Sequence, residues 1–275
     1  VNMKTIIEPF RIKVVEPMEL TTRDQRRRMI QEADLNPFRL KAEMVLIDLL
    51  TDSGTSAMSI YQWAGIMRGD ETYAGSKSFD RFESSVREIF GHRFVIPTHQ
   101  GRAAERLLCD AVLTSLSIVP GNTHFDTTRA NIENSGSEAL DIPIAEAKDP
   151  QNLHPFKGNI DLALLEKCLE QNGGQVPFVL ITITNNSAGG QPVSLANIKA
   201  TRAICDRFDV PLFLDAARFA ENAWFIKIRE EGHAHRSATE IAKEVFSYSD
   251  GALMSMKKDA FGNIGGVLSL KSAAW

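Results

Sequence analysis

Apolar residues fall along this chain in short blocks whose spacing switches between two periods. Helical spacing, with apolar positions three or four apart, recurs at 57–67, 79–91, 101–114, 161–171, 194–208, 217–230 and 237–247. Between these stand compact apolar runs at 94–98, 139–144, 177–184, 210–215, 251–255 and 265–270, which read as strands. Alternation of this kind predicts an α/β layered sheet with helices on both faces. A further helix is expected at Thr21 to Gln31 (TTRDQRRRMIQ), opened by a capping threonine before the charges. The first fifty residues are otherwise charged and weakly periodic and read as an arm that packs on something else. An apolar run, Met44 to Leu50, then ends in the polar turn Thr51-Asp52-Ser53-Gly54. No internal repeat or low-complexity segment interrupts the pattern, and Gly173-Gly174 and Gly189-Gly190 read as turns.

Composition changes this picture little. The chain has 275 residues, 43% apolar and 24% charged, enough for one large domain or one domain and part of another. Its net charge of -4, from 31 basic and 35 acidic residues, offers no footprint for nucleic acid or an anionic membrane. No apolar run approaches the roughly 18 to 20 residues that a membrane helix needs. No secretory core opens the chain, so a cytoplasmic setting is expected. Cys109, Cys168 and Cys205 stand far apart and form no CxxC pair, so buried or indifferent thiols are expected. The six histidines show no zinc-motif spacing.

Open α/β sheets gather ligands where loops leave the carboxyl ends of the strands. Polar residues at those ends therefore matter most. The run Val210–Leu214 delivers Asp215, followed by Ala216-Ala217-Arg218. Taken alone, a strand-end aspartate is most often a helix cap. One βα unit later, Gly251–Met254 runs into Ser255-Met256-Lys257-Lys258-Asp259. A strand-end lysine following a strand-end aspartate is the arrangement of pyridoxal-phosphate enzymes. There the lysine forms a Schiff base and the aspartate keeps the ring nitrogen protonated. Pro97-Thr98-His99-Gln100-Gly101-Arg102 opens a predicted helix, where N–H groups and an arginine suit a phosphate; a plain strand-to-helix turn is the alternative. Phe125, in His124-Phe125-Asp126, offers a flat face for a ring, or simply a core phenylalanine.

The strings EPFRIK (8–13), IDLLTDSGT (47–55), GDETYAGS (69–76), PTHQGRAAE (97–105), FDTT (125–128), SAGGQPVSLAN (187–197), DAARFAENAWFIK (215–227) and SMKKD (255–259) resemble the tryptophanase/tyrosine phenol-lyase family. They occur in family order along the whole chain. The resemblance implies a three-layer, mostly parallel sheet of the aspartate-aminotransferase-like (fold type I) pyridoxal-phosphate enzymes. It also implies an arm and part of a small domain at 1–56, a large cofactor domain at 57–275, and a missing C-terminal small domain.

By that resemblance Lys258 is the Schiff-base lysine and Lys257 an assisting cation. Asp215 pairs with the pyridine nitrogen, and Asn186 and Arg218 lie near the phenolic oxygen of the cofactor. Gln100, Gly101, Arg102 and Ser255 hold the phosphate, and Phe125 stacks on the ring. Thr51 and Ser53 belong to a substrate-carboxylate loop, while Asp126 faces the substrate ring. Tyr73 is the implied general acid toward the leaving aromatic carbon. A free tyrosine, with a pKa of about 10, can hold and deliver that proton at neutral pH. A monovalent cation, usually potassium, is implied at Gly54, Glu71 and Asn263, a site of oxygen ligands. The resemblance further implies a homotetramer with sites shared across a dimer interface.

The implied reaction is β-elimination of an aromatic L-amino acid, giving pyruvate and ammonia. Asp126 stands where phenol-lyases resemble one another in carrying Thr. A carboxylate accepts from an indole N–H and repels a phenolate, which points to tryptophan. Arg129 and Asn263-Ile264-Gly265-Gly266 lie closer to the phenol-lyase branch, which keeps tyrosine as the alternative. Gly262, Trp224 and Ala103 leave room for a related enzyme acting on another amino acid. Family members are longer, and the resemblance stops just after the lysine segment, at Ser269 to Trp275. An inactive truncated product is therefore the remaining alternative, and Val1 in place of an initiator methionine agrees with a partial reading frame.

Overall fold

The computed structural model describes residues 19–48, 53–54 and 58–273. The chain divides into two compact units, residues 1–51 and 52–275. In the first, α1 (Arg23–Glu32) opens as expected at a threonine. The Thr22 side chain accepts from Gln25 N–H while the Gln25 side chain accepts from Thr22 N–H, a reciprocal capping box. Two short 3-10 turns follow at Pro37–Arg39 and Ala42–Met44.

The second unit carries α2 (Ile60–Met67), α3 (Lys77–Phe90), β1 (Phe94–Thr98), α4 (Gly101–Val112), β2 (Ile118–Gly121), α5 (Asp126–Asn134) and β3 (Glu138–Asp141). It continues through α6 (Leu162–Asn172), β4 (Val179–Thr182), α7 (Leu195–Phe208), β5 (Leu212–Asp215), α8 (Phe219–Arg229), α9 (Ala238–Ser247), β6 (Gly251–Ser255) and β7 (Gly266–Leu270). The sheet order is β1-β7-β6-β5-β4-β2-β3, with β7 antiparallel to both its neighbours and every other pairing parallel.

Alternate residues of each strand face opposite layers. Leu180, Phe213, Leu253 and Leu268 pack with Ala104, Leu108, Cys109 and Ile132 of α4 and α5. Their strand neighbours Ile181, Leu212, Leu214, Ala252, Met254 and Val267 pack with Phe90 of α3 and with apolar positions of α6 to α9. Both faces being covered, the central strands read as continuous apolar runs. This is the expected three-layer α/β fold.

Two elements were not legible in the pattern. β2 contains Pro120 and Gly121, which break an apolar run, and α5 (DTTRANIEN) buries only Thr128 and Ile132. The strand expected at 139–144 ends at Asp141, two residues before Pro143. Among the described residues, no helix is long and apolar enough to cross a membrane. All three cysteines are free and buried, as expected.

Candidate active site

The strand register sets the polar residues along one edge. Thr98 pairs with Gly266, and Gly266 with Ser255, so the ends of β1 and β6 lie level across β7. Asp215 pairs with Leu253 on one side and with Thr182 on the other, which puts the ends of β4 and β5 on the same edge. Gln100-Gly101, Ser255, Lys258, Asp215, Arg218 and Asn186 all lie on loops or termini that leave this edge. Phe125 and Asp126 follow the end of β2, which runs parallel to β4. The expected cofactor residues are thus brought to one place.

The phosphate cradle is built by close approach. Gln100 occupies the N-cap of α4 without a side-chain cap, which leaves that helix terminus available to an anion. A Cβ added to Gly101 would stand 2.8 Å from Cβ of Ser255, and one on Gly266 would stand 2.5 Å from the carbonyl carbon of Gln100. Neither glycine has room for a side chain. The Ser255 hydroxyl is buried with no hydrogen-bond partner, which costs free energy unless something fills its place. Arg102, in the first turn of α4, is exposed. A helix N-terminus, an unsatisfied hydroxyl and an arginine form a donor set that fits a phosphate dianion.

Asp215 is buried, 7% exposed, at the end of β5. Burial first, and then the charge of Glu105, push its carboxyl up to about 7 from 3.8, against the opposing pull of Lys258, Ala217 N–H and Arg218. A cationic ring nitrogen would reverse that shift by giving the carboxylate an opposite charge. The residues present therefore fit the cofactor implied by the resemblance at both of its ends.

Around this centre the loops are held by buried amides. Asn122, fully buried, donates to Gly158 O at 2.7 Å and Thr182 O at 3.0 Å and accepts from Thr182 N–H at 2.8 Å. Asn185 N–H donates to Gln191 O at 2.8 Å, closing the loop that carries Asn186 and turns on left-handed Gly189 and Gly190. Asn186 is half-buried. Phe125 sits at the N-cap of α5, and the exposed Asp126 opens that helix, accepting from Thr127 N–H at 2.7 Å. Arg129 is engaged structurally, donating to Ala139 O at 3.1 Å and pairing with Glu133 and Asp141.

The remaining expected residues are placed less centrally. Gly54 N–H donates to Lys257 O at 2.9 Å, and a Cβ on Gly54 would lie 3.2 Å from Asn263 O, so Gly54, Lys257 and Asn263 adjoin. Ser53 beside them is half-buried, and Thr51 lies outside the described residues. Glu71 and Tyr73 are exposed on the loop between α2 and α3. Asp70 closes that loop on itself by accepting from Lys77 N–H (2.9 Å) and Ser78 N–H (2.8 Å). Glu71 therefore stands on a different loop from Gly54 and Asn263.

Two residues were missed in the sequence. Glu105, 5% exposed, accepts from Thr127 Oγ1 and Asn131 Nδ2, each at 3.1 Å, joining α4 to α5. Burial holds its carboxyl above the usual range. Its signal was present, since a glutamate falls on the buried stripe of α4 between Ala104 and Leu108. Asp259 accepts from two N–H groups of α8, and nothing in the string SMKKD announces that contact.

A sequence profile described as β-eliminating lyase matches residues 48–274. Over 273 residues and 99% of its length, the chain is 60% identical to a tryptophanase of Salinibacter ruber. Against a tryptophanase of Rhodobacter capsulatus it is 60% identical over 98%. A tyrosine phenol-lyase of Intrasporangium calvum is 51% identical over 99% of the chain. The chain spans 58%, 59% and 58% of those three relatives. Among solved structures, a threonine aldolase of Leishmania major aligns with TM-score 0.56 at 16% identity, covering 77% of this chain and 57% of its own. An aminotransferase of Streptoalloteichus hindustanus aligns with TM-score 0.53 at 14% identity, covering 78% and 52%. Those distant likenesses agree on the fold, and the close ones, together with the profile, establish that the chain belongs to the β-eliminating lyase family.

Proposed function

We propose that this chain is the cofactor-binding part of a pyridoxal-phosphate-dependent carbon–carbon lyase that eliminates the side chain of an aromatic L-amino acid. L-Tryptophan is the favoured substrate, with indole, pyruvate and ammonia as products. The observation that carries the reading is the gathering, on one edge of the sheet, of the buried strand-end Asp215, the Lys258 turn after β6, and the Gly101–Ser255 cradle with its unpartnered hydroxyl. Bound pyridoxal phosphate supplies an electron sink that stabilises negative charge at the substrate's α-carbon.

The chain's own residues do the rest. Ser255, Gly101 and the N-terminus of α4 hold the phosphate, with Gln100 and Arg102 beside them. Asp215 keeps a proton on the ring nitrogen, Asn186 and Arg218 address the phenolic oxygen, and Phe125 covers one face. Lys258 would be the lysine that holds the cofactor, and Lys257 would add positive charge alongside. Asp126 accepts from an indole N–H, and Ser53 with Thr51 receives the substrate carboxylate. Tyr73 delivers a proton to the leaving ring carbon, from a loop whose exposure suits a neighbouring subunit in a homotetramer. We assign Gly54, Asn263 and Glu71 to a monovalent cation, potassium, assembled between subunits, and the cytoplasm as the setting.

Tyrosine is the second substrate to test, because a phenol-lyase relative stands at 51% identity. The experiment is absorbance of the purified protein with pyridoxal phosphate, wild type against Lys258→Ala, followed by indole and phenol release from tryptophan and tyrosine in the full-length protein. A lysine-bound visible band that the variant lacks, with indole exceeding phenol, is expected. A wild type without that band would end the reading, and phenol exceeding indole would transfer it to tyrosine. A band on this chain, with product released by the full-length protein and none by the chain itself, would mark it as an inactive piece of such a lyase.

A further inference from the structure

Two lysines stand side by side after β6, and a slip of one residue in their turn would exchange them. The turn is pinned at several points. Met256 N–H donates to Gly265 O at 3.0 Å, Gly262 N–H to Met256 O at 2.9 Å, and Phe261 N–H to Lys258 O at 2.8 Å. On one side Gly54 N–H holds Lys257 O, and a Cβ on Gly54 would come 3.7 Å from Lys257 Cδ, so the stem of Lys257 runs along Gly54. On the other side, Lys258 and Arg218 are the cations whose charge bears on Asp215.

The fixing point nearest the exchange is Asp259. One carboxylate oxygen, Oδ2, accepts from Ala220 N–H at 2.7 Å and Glu221 N–H at 3.0 Å. The N–H of Asp259 itself donates to Ala217 O at 3.3 Å. Arg218, at the N-cap of α8, supplies no side-chain cap, so the cap of this helix comes from the residue after Lys258. A carboxylate also suits the positive end of the helix dipole. The lysine turn is thereby tied to the turn that carries Asp215 and Arg218.

We propose that Asp259 is a positioning residue that sets the register of the Lys257-Lys258 turn and so selects Lys258 as the lysine that bonds the cofactor. The inference rests on the function proposed above. Its test separates register from simple helix capping by using Asp161, which caps α6 by accepting from Leu164 N–H at 3.0 Å, as a matched control. Wild type, Asp259→Ala, Asp259→Asn, Asp259→Glu and Asp161→Ala are each mixed with pyridoxal phosphate and reduced with borohydride. Hydride adds to the carbon of the lysine–cofactor C=N bond, the nitrogen takes a proton, and the link becomes a stable amine. Peptide mass spectrometry then gives the ratio of label on Lys258 to label on Lys257, and thermal melting gives the Tm of each variant.

The expected result is a roughly tenfold fall in that ratio for Asp259→Ala, on the scale of one lost charged cap. Asp161→Ala should lose Tm but keep the wild-type ratio. Asp259→Asn keeps an oxygen able to accept both N–H groups and should restore the ratio. Asp259→Glu, whose oxygen sits one methylene too far, should lower it, and decides the matter if Asp259→Ala does not fold. Unchanged ratios in both Asp259→Ala and Asp259→Glu, beside a labelled wild type, would overturn the inference and leave the function standing. An unlabelled wild type would overturn both.

Discussion

Asp215→Asn should reveal what the site costs the fold before a ligand enters it. The folded chain holds the Asp215 proton up to about pH 7, whereas the unfolded chain releases it near 3.8. Because the folded value is the higher one, the stability this carboxyl permits is fully present below 3.8 and is lost as pH rises toward 7. Each pH unit in that window is worth about 1.4 kcal/mol, so the full loss approaches about 4 kcal/mol. Between pH 5 and pH 8 about two units of the window remain, a loss of about 3 kcal/mol. Asparagine has nearly the same shape and no proton to lose. Any packing or hydrogen-bond cost it brings is independent of pH, so the slope carries the information and the absolute difference does not.

The assay is urea denaturation of wild type and Asp215→Asn at pH 5, 6, 7 and 8 without cofactor. The variant should gain on wild type by about 3 kcal/mol across that series. In a Glu105→Gln background the gain should be smaller and should level off at lower pH, since the Glu105 charge is the second cause that raises Asp215. With pyridoxal phosphate added at pH 8 the order should narrow or invert, because only the carboxylate pairs with a cationic ring. A stability difference that stays flat from pH 5 to 8 would refute the reasoning, for it would mean that Asp215 is already ionised at pH 5 in the empty site.

Gly101→Ala should cost about 1–3 kcal/mol in urea denaturation, because its Cβ would press on Ser255 at 2.8 Å, and it should weaken pyridoxal phosphate binding in a fluorescence titration. Buried His92 bonds Ser269 Oγ at 2.8 Å and Ser249 Oγ at 3.1 Å, and burial holds it down at about 4 from 6.5. Its stabilising contribution is present above pH 6.5 and is lost as pH falls toward 4. His92→Gln should therefore show about 2 kcal/mol less stability loss than wild type between pH 7 and 5 in urea denaturation. Burial pushes the Cys109 and Cys205 thiols up to about 12, so a thiol-reactive dye should label them only after urea unfolds the chain.

The parts of this molecule that were legible in the sequence are those whose physics is local. β6 and the run into Lys258 could be read because an apolar strand and the polar residue at its end are consecutive in the chain. The capping box at Thr22 was foreshadowed by its threonine for the same reason. β2 could not be read, because Pro120 and Gly121 are tolerated there only by what surrounds them. Gly121 must be bare, since a Cβ would meet Leu180 O at 2.7 Å, and that is a fact about a strand nearly sixty residues away. Asp259 sits at the limit of this rule. It was visible as a letter in a lysine motif, but its carboxylate acts on Ala220 and Glu221, on an element that precedes it in the chain.

Glu105 shows the same divide from the other direction. A charged residue on the apolar stripe of α4 conflicts with its helix, and such conflicts mark positions where the fold accepts a cost for a function. The conflict itself was readable. Its meaning was not, because Thr127, Asn131 and Asp215 reach it only once α5 and β5 are folded around α4. With two buried carboxyls, one on α4 and one at the end of β5, and burial raising both, the site disfavours its own second negative charge. A ligand that brings a cation to Asp215 and an anion to the N-terminus of α4 pairs that carboxylate and gives the Ser255 hydroxyl a partner at once. That matching of opposite charges to opposite ends of a flat molecule is the physical reason for placing pyridoxal phosphate here, and it holds independently of any relative's name.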